Sequence, residues 1–185
     1  TYTVPHRMFR SHEGQYFDDV TTSGGFGHLQ KGHGVAFGDV DNNGNQDVLE
    51  VIGGAFTADR FWPVLFKNPG HGNHWIKLNL VGVHANRFAV GARIRVRITE
   101  NSKGRDIYRT VNSGGSFGAS SLRPHIGLGK ATTIDELEIR WPGSGLVQTV
   151  KGPIAADTTY ELREGEGGLK SLRVPSAATS ALMGP

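Results

Sequence analysis

The sequence predicts an all-β protein, and its composition and apolar pattern both support that prediction. The 185 residues include 27 glycines and 8 prolines, an excess that is typical of chains with many tight turns. Hydrophobic residues make up 37% and charged residues 20%, which is the balance of a chain that folds around a core. The apolar runs are short and have strand length, and no segment shows a helical apolar period.

Residues 1–70 are predicted to form the first domain. Clusters of Gly, Asp and Asn separate short apolar runs in this part of the chain. A turn-rich segment, Asn68–Asn73, follows them, and we place the domain boundary there. The predicted strands of this domain are Met8–Arg10, Tyr16–Phe17, Val35–Phe37 and Val48–Ile52.

Residues 71–164 are predicted to form a sandwich of two antiparallel sheets. In residues 92–98, apolar residues alternate with Arg93, Arg95 and Arg97, which is the pattern of a strand with one buried face. Residues 165–185 are small and weakly patterned, so we expect a flexible or partner-docked tail. Further strands are predicted at His74–Leu80, Ile107–Val111, Glu136–Trp141, Leu146–Val150 and Thr158–Leu162.

Charge and cysteine content argue against several classes of function. The net charge is +3 without a run of basic residues, so we expect no nucleic-acid partner. The absence of cysteine excludes disulfides and thiolate metal sites. The apolar runs are far shorter than the roughly 20 residues of a membrane helix. We interpret the chain, which opens with Thr1, as a piece of a longer secreted precursor.

The segment Asp39–Asp47 predicts a calcium site. Oxygen-bearing side chains occupy its positions 1, 3, 5 and 9, and Gly44 at position 6 permits a sharp turn. Calcium takes six to eight oxygen ligands, and clustered carboxylates repel one another without a cation. A metal-free turn rich in Asp and Asn is the alternative. The predicted ligands are the side chains of Asp39, Asp41, Asn43 and Asp47 and the backbone carbonyl of Asn45, with water completing the shell.

The same segment also fits the EF-hand spacing, because Glu50 falls at position 12. An EF-hand needs a helix on each side of its loop. Here the flanking segments are Gly32–Gly38, which is poor helix material, and the β-branched Val48–Ile52. We therefore predict a strand–loop–strand unit that is closed by Asp47 rather than by Glu50.

Two ordered sets of motifs resemble known families. The segment Gly34–Asp47, with Phe17–Thr21 upstream, resembles an FG-GAP (VCBS-type) repeat, one blade of a β-propeller. The second set resembles the ASPIC/UnbV domain that follows such repeats in proteins akin to cartilage acidic protein. Its motifs are Gly72–Trp75, Asn86-Arg87, Gly91–Arg93, His125–Gly129 and Arg140–Pro142.

The resemblance implies an extracellular calcium-binding repeat and a β-rich domain without established catalytic residues. Its metal positions carry over onto the five ligands predicted above, although Asn43 and Asn45 stand where acidic residues are common, so we expect modest affinity. A lone blade leaves both sheet edges open. We therefore expect either upstream repeats or neighbouring copies of the chain to cover those edges.

Four other groups of residues could suggest a catalytic or binding site, but each has a simpler structural interpretation. Gly114–Gly118 fits the nucleophile-elbow pattern, but Pro124 and Ser120-Ser121 make the required helix improbable. His71 and His74 lack an obvious third metal ligand. The three arginines of residues 93–97 are interpreted as a solvated strand face, with an acidic glycan or protein ligand as the alternative. For Trp62, Trp75 and Trp141, we favour packing over a sugar-stacking platform.

We therefore expect a non-enzymatic, extracellular calcium-binding module with a structural or adhesion role, which assembles with other copies if its edges are open. The alternative is the carbohydrate-binding portion of a secreted carbohydrate-active enzyme. The sequence offers no spaced carboxylate pair that would support catalysis in this chain.

Overall fold

All regular elements in the described part of the chain are β-strands, which confirms the all-β prediction. The computed structural model describes residues 3–12, 14–54, 62–114, 119 and 121–174. Within these ranges, 15 strands form five sheets. None of the described residues belongs to a helix long and apolar enough to span a membrane. The strands divide between two compact units.

The first unit contains the described residues up to 38 and those from 47 to 67. Its strands are β1 (Val4–Pro5), β2 (Phe9–His12), β3 (Tyr16–Asp19), β4 (Leu29–Gln30), β5 (Gly32–Gly38), β6 (Asp47–Ile52) and β7 (Val64–Phe66). They form two antiparallel pairs, β1–β4 and β2–β3, and one three-stranded antiparallel sheet in the order β5-β6-β7. Phe26 packs against Phe66 with 4.4 Å between ring centroids, Val48 lies opposite Phe66 on the neighbouring strand, and Phe26, Val48 and Ile52 are buried. This unit therefore has a small apolar core.

The second unit contains residues 39–46 and the described residues from 68 onward. Its strands are β8 (His74–Val81), β9 (Arg93–Glu100), β10 (Lys103–Thr110), β11 (His125–Gly129), β12 (Thr133–Arg140), β13 (Val147–Ala155), β14 (Thr158–Arg163) and β15 (Lys170–Leu172). One sheet has the order β10-β9-β12-β13 and the other has the order β11-β8-β14-β15. We refer to them as the first and second sheets of this unit.

The two four-stranded sheets share one hydrophobic core. Ile94, Val96 and Ile98 from β9 are at most 1% exposed, and they pack in the same cluster as Ile76 and Leu78 from β8. The alternation predicted for residues 92–98 therefore places the apolar side chains inward, as expected for strands buried on one face. The arrangement is that of a β-sandwich.

Some features of this sandwich were not predicted. Strand β14 pairs with β8 in parallel, so the second sheet is mixed rather than purely antiparallel. Strand β11 was not assigned from the sequence because it is short and carries glycines at alternate positions. Within the segment predicted as a tail, β15 pairs with β14, and Leu169 packs against the core. Residues 175–185 of that predicted tail lie outside the described residues.

A buried carboxylate, Glu164, fixes the loop that follows β8. One of its oxygens, Oε2, accepts hydrogen bonds from the backbone N–H groups of Val83, His84 and Ala85 at 2.7, 2.7 and 2.8 Å. Burial alone would raise the pKa of Glu164, but hydrogen bonds from Ser144 and from these three N–H groups outweigh it and lower the pKa to about 2. The ionised carboxylate therefore stabilises the folded state.

We predict that Glu164→Gln lowers the free energy of unfolding by about 2 to 3 kcal/mol at pH 7, because a neutral amide accepts these bonds more weakly. Since the folded-state pKa lies below the ordinary value of 4.5, the contribution of Glu164 is complete above pH 4.5 and is lost as the pH falls toward 2. Urea unfolding at pH 7 and at pH 3 measures both effects.

The matched control is Glu166→Gln, because the Glu166 side chain is 65% exposed and its pairing with Arg163 lies at the surface. We expect no measurable change from this variant. Equal urea midpoints for Glu164→Gln and the unmodified chain at pH 7 would contradict the role of Glu164.

Candidate metal centre

The loop between β5 and β6 spans residues 39–46, and cross-strand pairing of Gly38 with Asp47 brings its two ends together. The turn requires glycine at position 44 for two reasons. The backbone of Gly44 has φ of +92°, and a Cβ there would lie 1.9 Å from Nε1 of Trp75. The loop is therefore a tight, locally determined bend, as predicted from the position of Gly44.

Three of the predicted ligands come together in this bend. Carboxylate oxygens of Asp39, Asp41 and Asp47 all lie within 4.8 Å of one another. Asp41 is 6% exposed and Asp47 is 1% exposed, so water screens their charges poorly. Hard oxygen donors at this spacing fit a calcium ion, which binds such oxygens at about 2.3–2.6 Å. The donor set is therefore suitable for the predicted cation.

The carboxylate of Asp39 is held in place by three donors. Its Oδ1 accepts a hydrogen bond from the N–H of Asn43 at 2.9 Å, and its Oδ2 accepts one from the N–H of Gly44 at 2.8 Å. Nζ of Lys77, on β8, lies 2.6 Å from the same Oδ2. The side chains of Lys77 and Asp39 are 13% and 1% exposed, so this ion pair is largely removed from solvent. Lys77 offsets part of the negative charge of the cluster.

Two rings border Lys77. Its Nζ lies 5.2 Å from the ring centroid of Trp75, and the Trp75 and His125 rings meet edge-on at 5.3 Å. Burial, and next the charge of Lys77, lower the pKa of His125 to about 4, although Asp39 and a backbone hydrogen bond to Gly44 oppose that shift. His125 is therefore neutral at pH 7, and Lys77 carries the positive charge of this group.

The two asparagines of the predicted ligand set hydrogen bond with each other. Oδ1 of Asn43 accepts from the backbone N–H of Asn45 at 2.8 Å and from its side-chain amide at 3.0 Å. This pairing stiffens the exposed side of the loop. The metal roles of Asn43 and of the Asn45 carbonyl stay predictions.

The surroundings of the loop agree with the strand–loop–strand interpretation. Strands β5 and β6 flank it, so the helices that an EF-hand requires are replaced by a hairpin. Glu50 is 1% exposed, and its carboxylate contacts Nδ1 of His6 within the first unit. It is not among the three carboxylates that cluster at the loop.

The other candidate sites from the sequence are the histidines, the tryptophans and the elbow-like segment. Their residues contact other groups or lie outside the described part of the chain. Nδ1 of His74 lies 2.6 Å from Oδ2 of Asp157. Trp141 is 1% exposed and donates from Nε1 to Gln148, whereas Trp62 is 83% exposed, so the three tryptophans do not form one exposed platform. The central part of the elbow-like segment, residues 115–118, is outside the described chain.

The residue that sequence analysis missed at this site is Lys77. Its parity places it with Trp75 on the face of β8 opposite Ile76 and Leu78, which enter the core. Loop residues 39–46 cover part of this face, so Lys77 and Trp75 are half-buried. In the sequence, Lys77 is a single lysine on the same strand face as Trp75. That pattern does not identify Asp39, 38 residues away, as its partner.

Comparison with known protein families finds a match in the C-terminal part of the chain. Residues 82–169 match the family model described as ASPIC and UnbV, which is a little under half of the chain. The match supports the ASPIC/UnbV resemblance of the C-terminal part. A search of the curated proteins finds no match to the chain.

The matched segment is shorter than the folded unit that contains it. It begins after β8, yet β8 pairs with both β11 and β14 and contributes Ile76 and Leu78 to the core. The folded ASPIC/UnbV-like unit of this chain therefore includes the preceding strand. The FG-GAP resemblance of residues 34–47 lies outside the matched segment and stays a prediction.

Proposed function

We propose that this protein is an extracellular calcium-binding module with a structural or adhesion role, and that it acts by binding rather than by catalysis. The observation that carries the proposal is the group of three carboxylates within 4.8 Å at Asp39, Asp41 and Asp47. Grouping buried negative charges is unfavourable unless positive charge lies close to them, and Lys77 supplies one such charge at Asp39. A divalent ion held by all three carboxylates would reduce their repulsion further.

The expected affinity supports an extracellular location. The side-chain donors include three carboxylates, one of which is already paired with Lys77, and calcium affinity rises with the number of charged ligands. Extracellular calcium modules typically bind with dissociation constants of about 0.1 to 1 mM. A site of this strength would fill outside the cell and stay empty at cytosolic calcium levels.

The same contacts favour a binding role over an enzymatic one. The carboxylate of Asp39 accepts two backbone hydrogen bonds and one from Lys77, and these contacts fix its position. A carboxylate held in place close to two others suits a metal ligand.

We predict that calcium raises the melting temperature of the protein and that a chelator reverses the increase. A ligand at about 100 times its Kd adds roughly 2.7 kcal/mol of stability when it binds only the folded state. Asp41→Asn keeps the shape of the side chain but removes one charge, and it should remove most of this response. Calorimetry with and without calcium measures it.

The control is Asp18→Asn, an exposed carboxylate on β3 that pairs with Arg10. This variant should keep the full calcium response. If the unmodified protein melts at the same temperature with calcium and with chelator, the loop is a metal-free Asx turn and the calcium proposal is wrong.

We predict that Lys77→Met binds calcium about tenfold more tightly than the unmodified protein, equivalent to roughly 1.4 kcal/mol. Methionine has similar length and can contact the Trp75 ring, but it removes the ammonium 2.6 Å from Asp39. Calcium titration by calorimetry gives both affinities. Lys130→Met, which removes an ammonium bound to the carbonyls of His71 and Gly72, is the charge-matched control. We expect this difference because the ammonium of Lys77 competes with calcium for the Asp39 carboxylate. Weaker calcium binding by Lys77→Met than by that control would contradict this competition.

We further propose that a second copy of this chain covers the three-stranded sheet of the first unit. Strands β5 and β7 are the edges of this sheet among the described residues, and unpaired edges favour association with another chain. Large apolar side chains also remain accessible on the sheet, and such patches mark interaction surfaces. They are Val35 (42% exposed), Phe37 (52%), Leu49 (41%), Val51 (49%) and Leu65 (39%).

We predict a concentration-dependent dimer or larger assembly, which sedimentation velocity detects. Leu65→Lys places a charge on edge strand β7 and should shift the protein to monomer, because charged edges oppose strand pairing. Val83→Lys, at an exposed apolar residue of the second unit, is the control and should leave the assembly unchanged. A strictly monomeric unmodified protein at high concentration would count against self-assembly.

A further inference from the structure

The outer face of the first sheet of the sandwich carries its charges in cross-strand rows. Two successive rows are closely paired. In one row, Arg95 is flanked by Tyr108 and Glu138, and in the next row Arg97 is flanked by Asp106 and Glu136. Lys151 continues the second row on β13. These two rows contain three basic and three acidic side chains and have no net charge.

Ion pairs join the charged members of these two rows. Nη2 of Arg95 donates to Glu138 at 2.9 Å and to Glu136 at 2.5 Å. Arg97 makes a two-point contact with Asp106 at 2.8 and 3.1 Å, and Lys151 pairs with Glu136. Hydrogen bonding with Glu138 and with Asp106, respectively, raises the pKa of Arg95 and of Arg97. Arg95 and Arg97, two of the three arginines of residues 93–97, are therefore paired with acidic side chains of the same sheet.

The row at the end of this face is different. It consists of Thr110, Arg93, Arg140 and Val147, in that order across the four strands, and all four are exposed. Arg93 and Arg140 are directly opposite each other on the two central strands, where cross-strand Cα atoms lie about 4.5–5.5 Å apart. Like charges in this position are unfavourable. Among the described residues, neither arginine has an acidic partner within ion-pair distance.

From this row we propose that Arg93 and Arg140 bind the carboxylate or sulfate groups of an acidic oligosaccharide. Paired guanidinium groups recognise such oxyanions through parallel N–H···O bonds, and a bound anion would relieve their mutual repulsion. Tyr108 is 59% exposed and lies diagonally beside Arg93, one row away on the same face. It provides an aromatic surface against which the apolar face of a sugar ring can pack.

The position of the arginines favours an oligosaccharide over an acidic peptide. A peptide that binds a sheet as an added strand pairs with the backbone of an edge strand. Arg93 and Arg140 belong to the central strands β9 and β12, and their side chains rise from the face of the sheet. A ligand that lies across the face and presents its anionic groups from the side would reach both arginines. This inference is independent of the calcium proposal.

The test is calorimetric titration of the full chain with oligogalacturonate and with a sulfated dextran oligosaccharide, beside a neutral dextran of equal length. We expect binding to at least one acidic oligosaccharide and none to the neutral one. The double variant Arg93→Gln, Arg140→Gln should weaken binding at least tenfold. The double lysine variant keeps both charges but loses the planar fork, and it should bind several-fold more weakly than the unmodified chain.

The charge-matched control is Lys103→Gln together with Lys170→Gln, which removes two positive charges on β10 and β15, outside the arginine row. It should bind as the unmodified protein does. An equal loss of affinity in this control, or no loss in the arginine-to-glutamine variant, would overturn the proposal. Tighter binding of a polyglutamate peptide than of either oligosaccharide would overturn the assignment of the ligand. The calcium response and the oligosaccharide titration use different variants, so failure of one proposal is distinguishable from failure of the other.

Discussion

Pairing of Gly38 with Asp47 in the β5–β6 hairpin obliges the intervening loop to return on itself, and this return brings Asp39, Asp41 and Asp47 together. The resulting charge repulsion is the constraint on which the surrounding structure depends. Backbone N–H groups of Asn43 and Gly44 point at Asp39, and Lys77 adds an ammonium. Each of these contacts reduces the cost of placing Asp39 beside the other two carboxylates.

Lys77 links the loop of residues 39–46 to the sandwich. It stands on β8, whose opposite face contributes Ile76 and Leu78 to the main core, so its position is fixed by that packing. Its ammonium reaches Oδ2 of Asp39, so this ion pair holds the loop against the strand.

Charge balance is handled differently on the outer face of the sandwich. Arg95 and Arg97 are paired with acidic residues of neighbouring strands, so the alternating arginines of β9 are largely neutralised. Arg93, at the end of the same strand, faces Arg140 instead. Residues of one type at regular spacing on one strand therefore have different chemical roles, which depend on the strands beside them. Buried Glu164 shows the same dependence, since three backbone N–H groups converge on it from a loop about 80 residues earlier.

The sequence by itself determined the features that depend on local chemistry. Period-two alternation in residues 92–98 predicted which side chains enter the core, and the spacing of Asp39, Asp41 and Asp47 around Gly44 predicted that they would meet. Both follow from strand geometry or from a single turn, so neighbouring residues contain the necessary information. Strand β11 was harder to recognise, because it has five residues, of which Gly127 and Gly129 have low strand propensity.

Only the tertiary structure decided the pairings between distant segments. The parallel pairing of β14 with β8, the contact of Lys77 with Asp39, and the cross-strand position of Arg140 beside Arg93 each join residues at least 38 positions apart. Such contacts are set by how two sheets close over a shared core, and a single sequence does not specify which of several similar strands become neighbours. The grouping of the three carboxylates was thus predictable from the loop's own residues, whereas the contact of Lys77 with Asp39 and the arginine pair were not.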